Sequence, residues 1–136
     1  MEPIKVMLDS NILISSIYTR NGVASQVFEK AAKPPYSIVL CSQILAEVYR
    51  FFYCKFPSKV HDIQSAIASA NFDLVQLINN DPVLDDESKI RDINDRPILR
   101  TARKANVQLF ITGDKDFLES LITYPKILTI AQFLNL

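Results

Sequence analysis

The feature that most constrains this chain is the order of its apolar segments. Short strand-like runs alternate with stretches whose apolar residues recur at helical spacing. Ile4–Leu8 reads as a buried first strand, Tyr36–Leu40 as a second, Phe72–Leu77 as a third, Val107–Ile111 as a fourth and Ile127–Thr129 as a short fifth. Between them, residues 22–33 place Val23, Val27, Phe28 and Ala31 on one helical face and stop at Pro34-Pro35. Ser42 is placed to cap a helix running to Cys54, and Pro57-Ser58 opens another helix to about Ala70. Asn94–Ala105 reads as a helix with Pro97 in its first turn, and Lys115–Leu121 as one more. Alternation of this kind predicts a parallel sheet covered by helices on both faces, with ligands bound beyond the carboxyl ends of the strands.

Length and composition fit one such unit. The chain has 136 residues, 49% of them apolar, and two glycines with no Gly/Ser linker or repeat, so a single domain over 1–136 is expected. Fifteen basic and fifteen acidic side chains cancel, which excludes a protein held to nucleic acid by bulk positive charge. No apolar run approaches the roughly 20 residues of a membrane span, and no signal-peptide pattern opens the chain, so a cytoplasmic protein is expected. Cys41 and Cys54 form no C-x-x-C pair, and His61 is the single histidine, so neither a zinc site nor two-histidine RNA cleavage fits. Carboxylate is what remains in quantity.

The carboxylates fall at one edge of the expected sheet. Asp9 follows the first strand and Asp114 the fourth; Asp95 opens the helix that feeds the fourth strand, with Asp92 just before it. Glu47 lies in the first half of the helix after the second strand, on a stripe with Gln43, Arg50 and Cys54. Converging carboxylates suit Mg²⁺ or Mn²⁺, and an ion bound there can lower the pKa of a water and clamp phosphate oxygens. Taken singly, Asp9, Asp95 and Asp114 also read as helix caps, Asp92 as a turn residue, and Glu47 as a surface acid paired with Arg50. The run Asp81, Asp85, Asp86 and Glu87 reads as a solvated loop, and His61 as a surface residue.

Four segments in order, Leu8-Asp9-Ser10-Asn11-Ile12-Leu13, Ser42-Gln43-Ile44-Leu45-Ala46-Glu47, Arg91-Asp92-Ile93-Asn94-Asp95-Arg96-Pro97 and Ile111-Thr112-Gly113-Asp114-Lys115-Asp116, resemble the PIN-domain nucleases. More narrowly they are similar to the prokaryotic PIN toxins of toxin–antitoxin pairs. The resemblance implies a three-layer α/β/α sandwich around a parallel sheet of about five strands. It implies a Mg²⁺- or Mn²⁺-dependent endoribonuclease acting on single-stranded RNA, a homodimer, and a cognate antitoxin as partner. Its four core acids map onto Asp9, Glu47, Asp95 and Asp114, with Asp92 and Asp116 at positions that are often acidic. Asn11 and Thr112 match the supporting polar residues. Ile93 departs from the family's frequent proline but removes no ligand. Arg20, Arg50, Arg91, Arg96 and Lys115 are the basic candidates for an RNA groove.

Three other readings make contrary expectations. A non-catalytic PIN-like module would bind RNA or protein without cleaving. A haloacid-type phosphatase needs an aspartate at position 11, where Asn stands, and a receiver domain needs its nucleophile after the third strand, whereas Asp73 falls inside it. The aromatic stretch Tyr49, Phe51, Phe52, Tyr53 and Phe56 predicts an interface, with Phe51 facing the sheet and Phe52 on the surface.

Overall fold

The computed structural model describes residues 2–76 and 82–136. Leu77 and Asp81, read as the end of the third strand and the start of the acidic run, lie outside the described residues. The strands are β1 (Ile4–Leu8), β2 (Tyr36–Cys41), β3 (Phe72–Val75), β4 (Leu109–Ile111) and β5 (Lys126–Leu128). The helices are α1 (Ser10–Tyr18), α2 (Val23–Ala31), α3 (Ser42–Lys55), α4 (Val60–Ser69), α5 (Arg96–Lys104), α6 (Lys115–Leu118) and α7 (Ile130–Leu134). All four strand pairings are parallel, in the order β3-β2-β1-β4-β5. Helices flank the sheet, giving the α/β/α sandwich. Val6, Met7 and Leu8 of β1 and Ile38, Val39 and Leu40 of β2 are all buried, as strands covered on both faces must be.

The strand order positions the site. The chain moves from β1 to β2 to β3, then returns to add β4 on the other side of β1. This reversal opens a crevice at the carboxyl ends of β1 and β4, the place where such sheets bind ligands. Registers Leu8↔Ile111 and Ile111↔Leu128 bring Asp9 and Thr112, the next residues, to that edge together.

Several boundaries differ from the expectation for local reasons. Ser42 is the first residue of α3 and not its cap; Cys41 holds the cap position without a side-chain bond. Residues 93–95 form a 3-10 turn before α5, because Asp92 Oδ1 accepts from the Asn94 N–H at 2.9 Å and tightens the chain there. The expected helix to Leu121 ends at Leu118, since Leu121 is left-handed at φ 64°. On α3, Ile44, Val48 and Phe52 form the fully buried stripe at i, i+4 and i+8. Phe52 is therefore inside and Phe51 half-buried, the reverse of the expectation. Tyr53 remains exposed, and Phe56 is half-buried with Tyr18 stacked on it at 5.0 Å. His61 is exposed, as expected.

Of the acidic run, Asp85 is exposed as expected, but Asp86 and Glu87 are not solvated loop residues. Glu87 is buried, takes two charge-assisted bonds from Arg100 and accepts the Leu84 N–H at 2.6 Å. Asp86 makes a second bidentate pair with Arg103, whose Nε also donates to the Tyr124 carbonyl at 2.9 Å. Arg100 and Arg103 share one face of α5, so the two pairs clamp the segment before the 3-10 turn onto that helix. Both carboxyls sit below their ordinary pKa, chiefly through the arginine hydrogen bonds. A depressed pKa contributes stability above about pH 4.5 that is lost as pH falls through the folded value. Glu87→Ala should cost about 3 kcal/mol, because the Leu84 N–H bond and two charge-assisted bonds to a buried carboxylate are lost. Urea unfolding at pH 7 measures this, and a loss below about 1 kcal/mol would reduce the clamp to an ordinary surface pair.

Candidate active site

Asp9 directly follows β1 and caps α1. Its N–H donates to the Ile111 carbonyl at 3.0 Å, completing the ladder with β4, and its Oδ1 accepts the Ser10 N–H at 2.8 Å. Its second oxygen accepts the Thr112 hydroxyl proton at 2.6 Å, and Thr112 Oγ1 in turn accepts the Asp114 N–H at 3.0 Å. Thr112 is fully buried and Asp9 nearly so. Burial pushes the Asp9 carboxyl above its ordinary value; the bonds from Thr112 and Ser10 oppose this, and the charges of Glu47 and Asp114 reinforce it.

Asp95 receives the field of the whole rim. It sits at the cap position of α5 with no side-chain cap bond. Its pKa is pushed up to about 7, first by burial and then by the charges of Asp92, Asp114, Asp9 and Glu47. The sequence-derived acids therefore converge on one edge. Their tightest group is Asp92, Asp95 and Asp116, which present carboxylate oxygens all within 4.8 Å of one another. Asp114 caps α6 by accepting the Asp116 N–H at 2.9 Å, so capping orients two acids of the rim. Asp9 and Asp114 cap as the alternative reading expects and also belong to the rim; Asp95 makes no side-chain cap bond, and Asp92, expected in a turn, caps the 3-10 turn. Glu47 makes no ion pair with Arg50 among the described residues; its neighbour is Gln43, at 3.5 Å.

The basic candidates divide. Arg91 reaches the rim, 3.2 Å from Asp116 and 3.8 Å from Glu119. Lys115 is exposed beside Asp114, and Arg50 is exposed one turn beyond Glu47. Arg96 Nε is engaged by the Ile90 carbonyl at 3.0 Å. Arg20 is not brought to the rim: it lies past the far end of α1, in an apolar groove of about 560 Å³ with Leu13, Ile17, Phe28 and Phe72. Asn11 is an exposed residue in the first turn of α1. Sequence reasoning did not find the bond from Gln43 Nε2 to the Asn94 carbonyl at 2.8 Å, which joins residues 51 apart and leaves no local signal.

Hard oxygen donors in this number suit a divalent cation such as Mg²⁺ or Mn²⁺, and the raised Asp95 pKa reflects burial first and the like charges of the rim second. Fold and site together define a parallel α/β domain with an acidic edge at its topological switch point. The family model for the PIN domain matches residues 5–116, and the chain belongs to that family, whose known members act as nucleases. No curated protein sequence matches the chain significantly. Among similar solved structures, VapBC2 from Rickettsia felis, bound to a promoter DNA fragment, aligns at TM-score 0.66 and 18% identity. That match covers 92% of this chain and 98% of the other. Mycobacterium tuberculosis VapC20, described as a sarcin–ricin loop cleaving toxin, aligns at 0.62 and 14%, covering 87% and 96%. DNA-bound VapBC from Salmonella typhimurium aligns at 0.66 and 16%, covering 93% and 98%. Among the described residues no helix is long and apolar enough to cross a membrane.

Proposed function

We propose that this chain is a Mg²⁺- or Mn²⁺-dependent endoribonuclease of single-stranded RNA and the toxin of a toxin–antitoxin pair. The observation that carries the reading is the grouping of Asp92, Asp95 and Asp116 within 4.8 Å, in the field of Asp9, Glu47 and Asp114. Asp92, Asp95 and Asp116 would hold the ion, and Asp9, Glu47 and Asp114 would complete its surroundings directly or through waters. Bound there, a divalent ion supplies an acidified water and neutralises charge on the scissile phosphate. Asp9 is fixed for its part by Ser10 and Thr112. Glu47 Oε would accept a hydrogen bond from the attacking water and orient it. Arg91, exposed at the rim, can exchange its carboxylate partners for a phosphate oxygen. Hydrolysis by water leaves 5′-phosphate and 3′-hydroxyl ends, so the preference for RNA comes from the groove.

The toxin assignment draws on the similar VapBC complexes. The apolar groove between α1, α2 and α4 is suited to an amphipathic segment of an antitoxin, and the Tyr18, Tyr49, Tyr53 and Phe56 surface to a second copy of the chain. Induced expression should arrest growth, and Asp9→Asn should relieve the arrest. Equal arrest by both forms would point to a non-catalytic binding module. Thr112→Val should weaken Mn²⁺ binding roughly tenfold, because Asp9 loses the donor that orients it. Isothermal titration measures this, and unchanged affinity would remove Asp9 from the ion's surroundings.

A further inference from the structure

We infer that Gln43 is a positioning residue that locks the acid of α3 to the turn carrying Asp92 and Asp95; the inference rests on the metal-site reading above. Glu47 and Asp95 come from elements 48 residues apart in the chain, and two carboxylates of like charge gain nothing from being brought together. Something must hold α3 against the 3-10 turn at this point. Gln43 lies one helical turn before Glu47 on the same face. Its Nε2 donates to the Asn94 carbonyl at 2.8 Å, and the same nitrogen lies 3.5 Å from Glu47 Oε1. An amide nitrogen carries two protons, so one can hold the turn while the other steadies the carboxylate. Asn94 is itself fixed by its N–H bond to Asp92 Oδ1 at 2.9 Å. The chain Glu47–Gln43–Asn94–Asp92 therefore connects both sides of the acidic rim through neutral donors, without a cation that would compete with a metal ion. Among the described residues, the Gln43–Asn94 bond is the side-chain hydrogen bond that joins α3 to this turn.

Gln43→Met keeps the length and packing of the side chain and removes both donors. It should weaken Mn²⁺ binding roughly tenfold, the cost typical of losing a residue that orients a ligand. It should raise the Mn²⁺ concentration for half-maximal RNA cleavage by a similar factor. Gln43→Asn keeps the amide but is one methylene too short to span both partners, and should behave like Gln43→Met. Mn²⁺ titration by calorimetry, with circular dichroism to verify folding, reads the effect independently of activity. A wild type that binds Mn²⁺ and a folded Gln43→Met with equal affinity would overturn the role of Gln43 alone. A wild type that binds no Mn²⁺ would overturn the metal-site reading beneath it. Should Gln43→Met fail to fold, Gln43→Asn carries the test, and wild-type Mn²⁺ affinity in that variant overturns the inference.

Discussion

Asp9→Asn should lower metal-dependent RNA cleavage by at least about 1000-fold and leave the fold in place. Charge stabilisation around a divalent ion amounts to several kcal/mol, and each 1.36 kcal/mol is a factor of ten in rate. Asparagine has the shape of aspartate and caps as well, so the Ser10 bond and α1 survive. What it loses is one negative charge at a buried position and the carboxylate acceptor of the Thr112 hydroxyl. If Asp9 served only as a cap, the variant would cleave normally. Initial rates at saturating Mn²⁺, with circular dichroism on both proteins, separate the outcomes.

Divalent ions should stabilise the folded chain, and the effect should depend on pH. The ligands are scattered along the sequence, so an ion binds the folded state alone. For a dissociation constant of about 1 mM, roughly 10 mM ion adds about 1.4 kcal/mol, or about 5 °C in Tm for a domain this size. Asp95 sets the pH window. Its folded pKa of about 7 lies above the ordinary 3.8, so its favourable contribution is complete below about pH 4 and is lost as pH rises through 7. Metal-free Tm should therefore carry a component that falls between pH 4 and 7. The ion-induced rise should be small near pH 5.5, where a proton must be displaced, and full at pH 8. Asp95→Asn should raise the metal-free Tm at pH 8, remove this pH component and shrink the ion-induced shift. Scanning fluorimetry in Mg²⁺ against NaCl of equal ionic strength tests this; equal shifts in the two salts would mean that the acids hold no ion.

The alternation of strands and helices and the convergence of the acids were legible in the sequence because both rest on local signals, whereas the order of strands across the sheet was not. Strands buried on both faces write continuous apolar runs, and strand ends at a switch point write an aspartate after them, as at Leu8-Asp9 and Gly113-Asp114. Helix α1 left too weak a mark, since its apolar residues Ile12, Leu13, Ile14 and Ile17 follow directly on a strand. The fate of Glu87 was hidden for a different reason. A carboxylate before a helix looks solvated until the helix supplies arginines at the right spacing, and the pairing with Arg100 spans 13 residues. The grouping of Asp92, Asp95 and Asp116 likewise depends on the closeness of two turns that are distant in the sequence.

The central claim is that the acidic rim hydrolyses RNA with the help of a divalent ion. The most direct measurement is the chemistry of the ends produced when the purified chain meets a labelled single-stranded RNA, with Mn²⁺ or with EDTA. Cleavage that needs Mn²⁺, vanishes in Asp9→Asn and leaves 5′-phosphate and 3′-hydroxyl ends is the expected result. Cleavage that persists in EDTA, or that leaves a 2′,3′-cyclic phosphate, would contradict it.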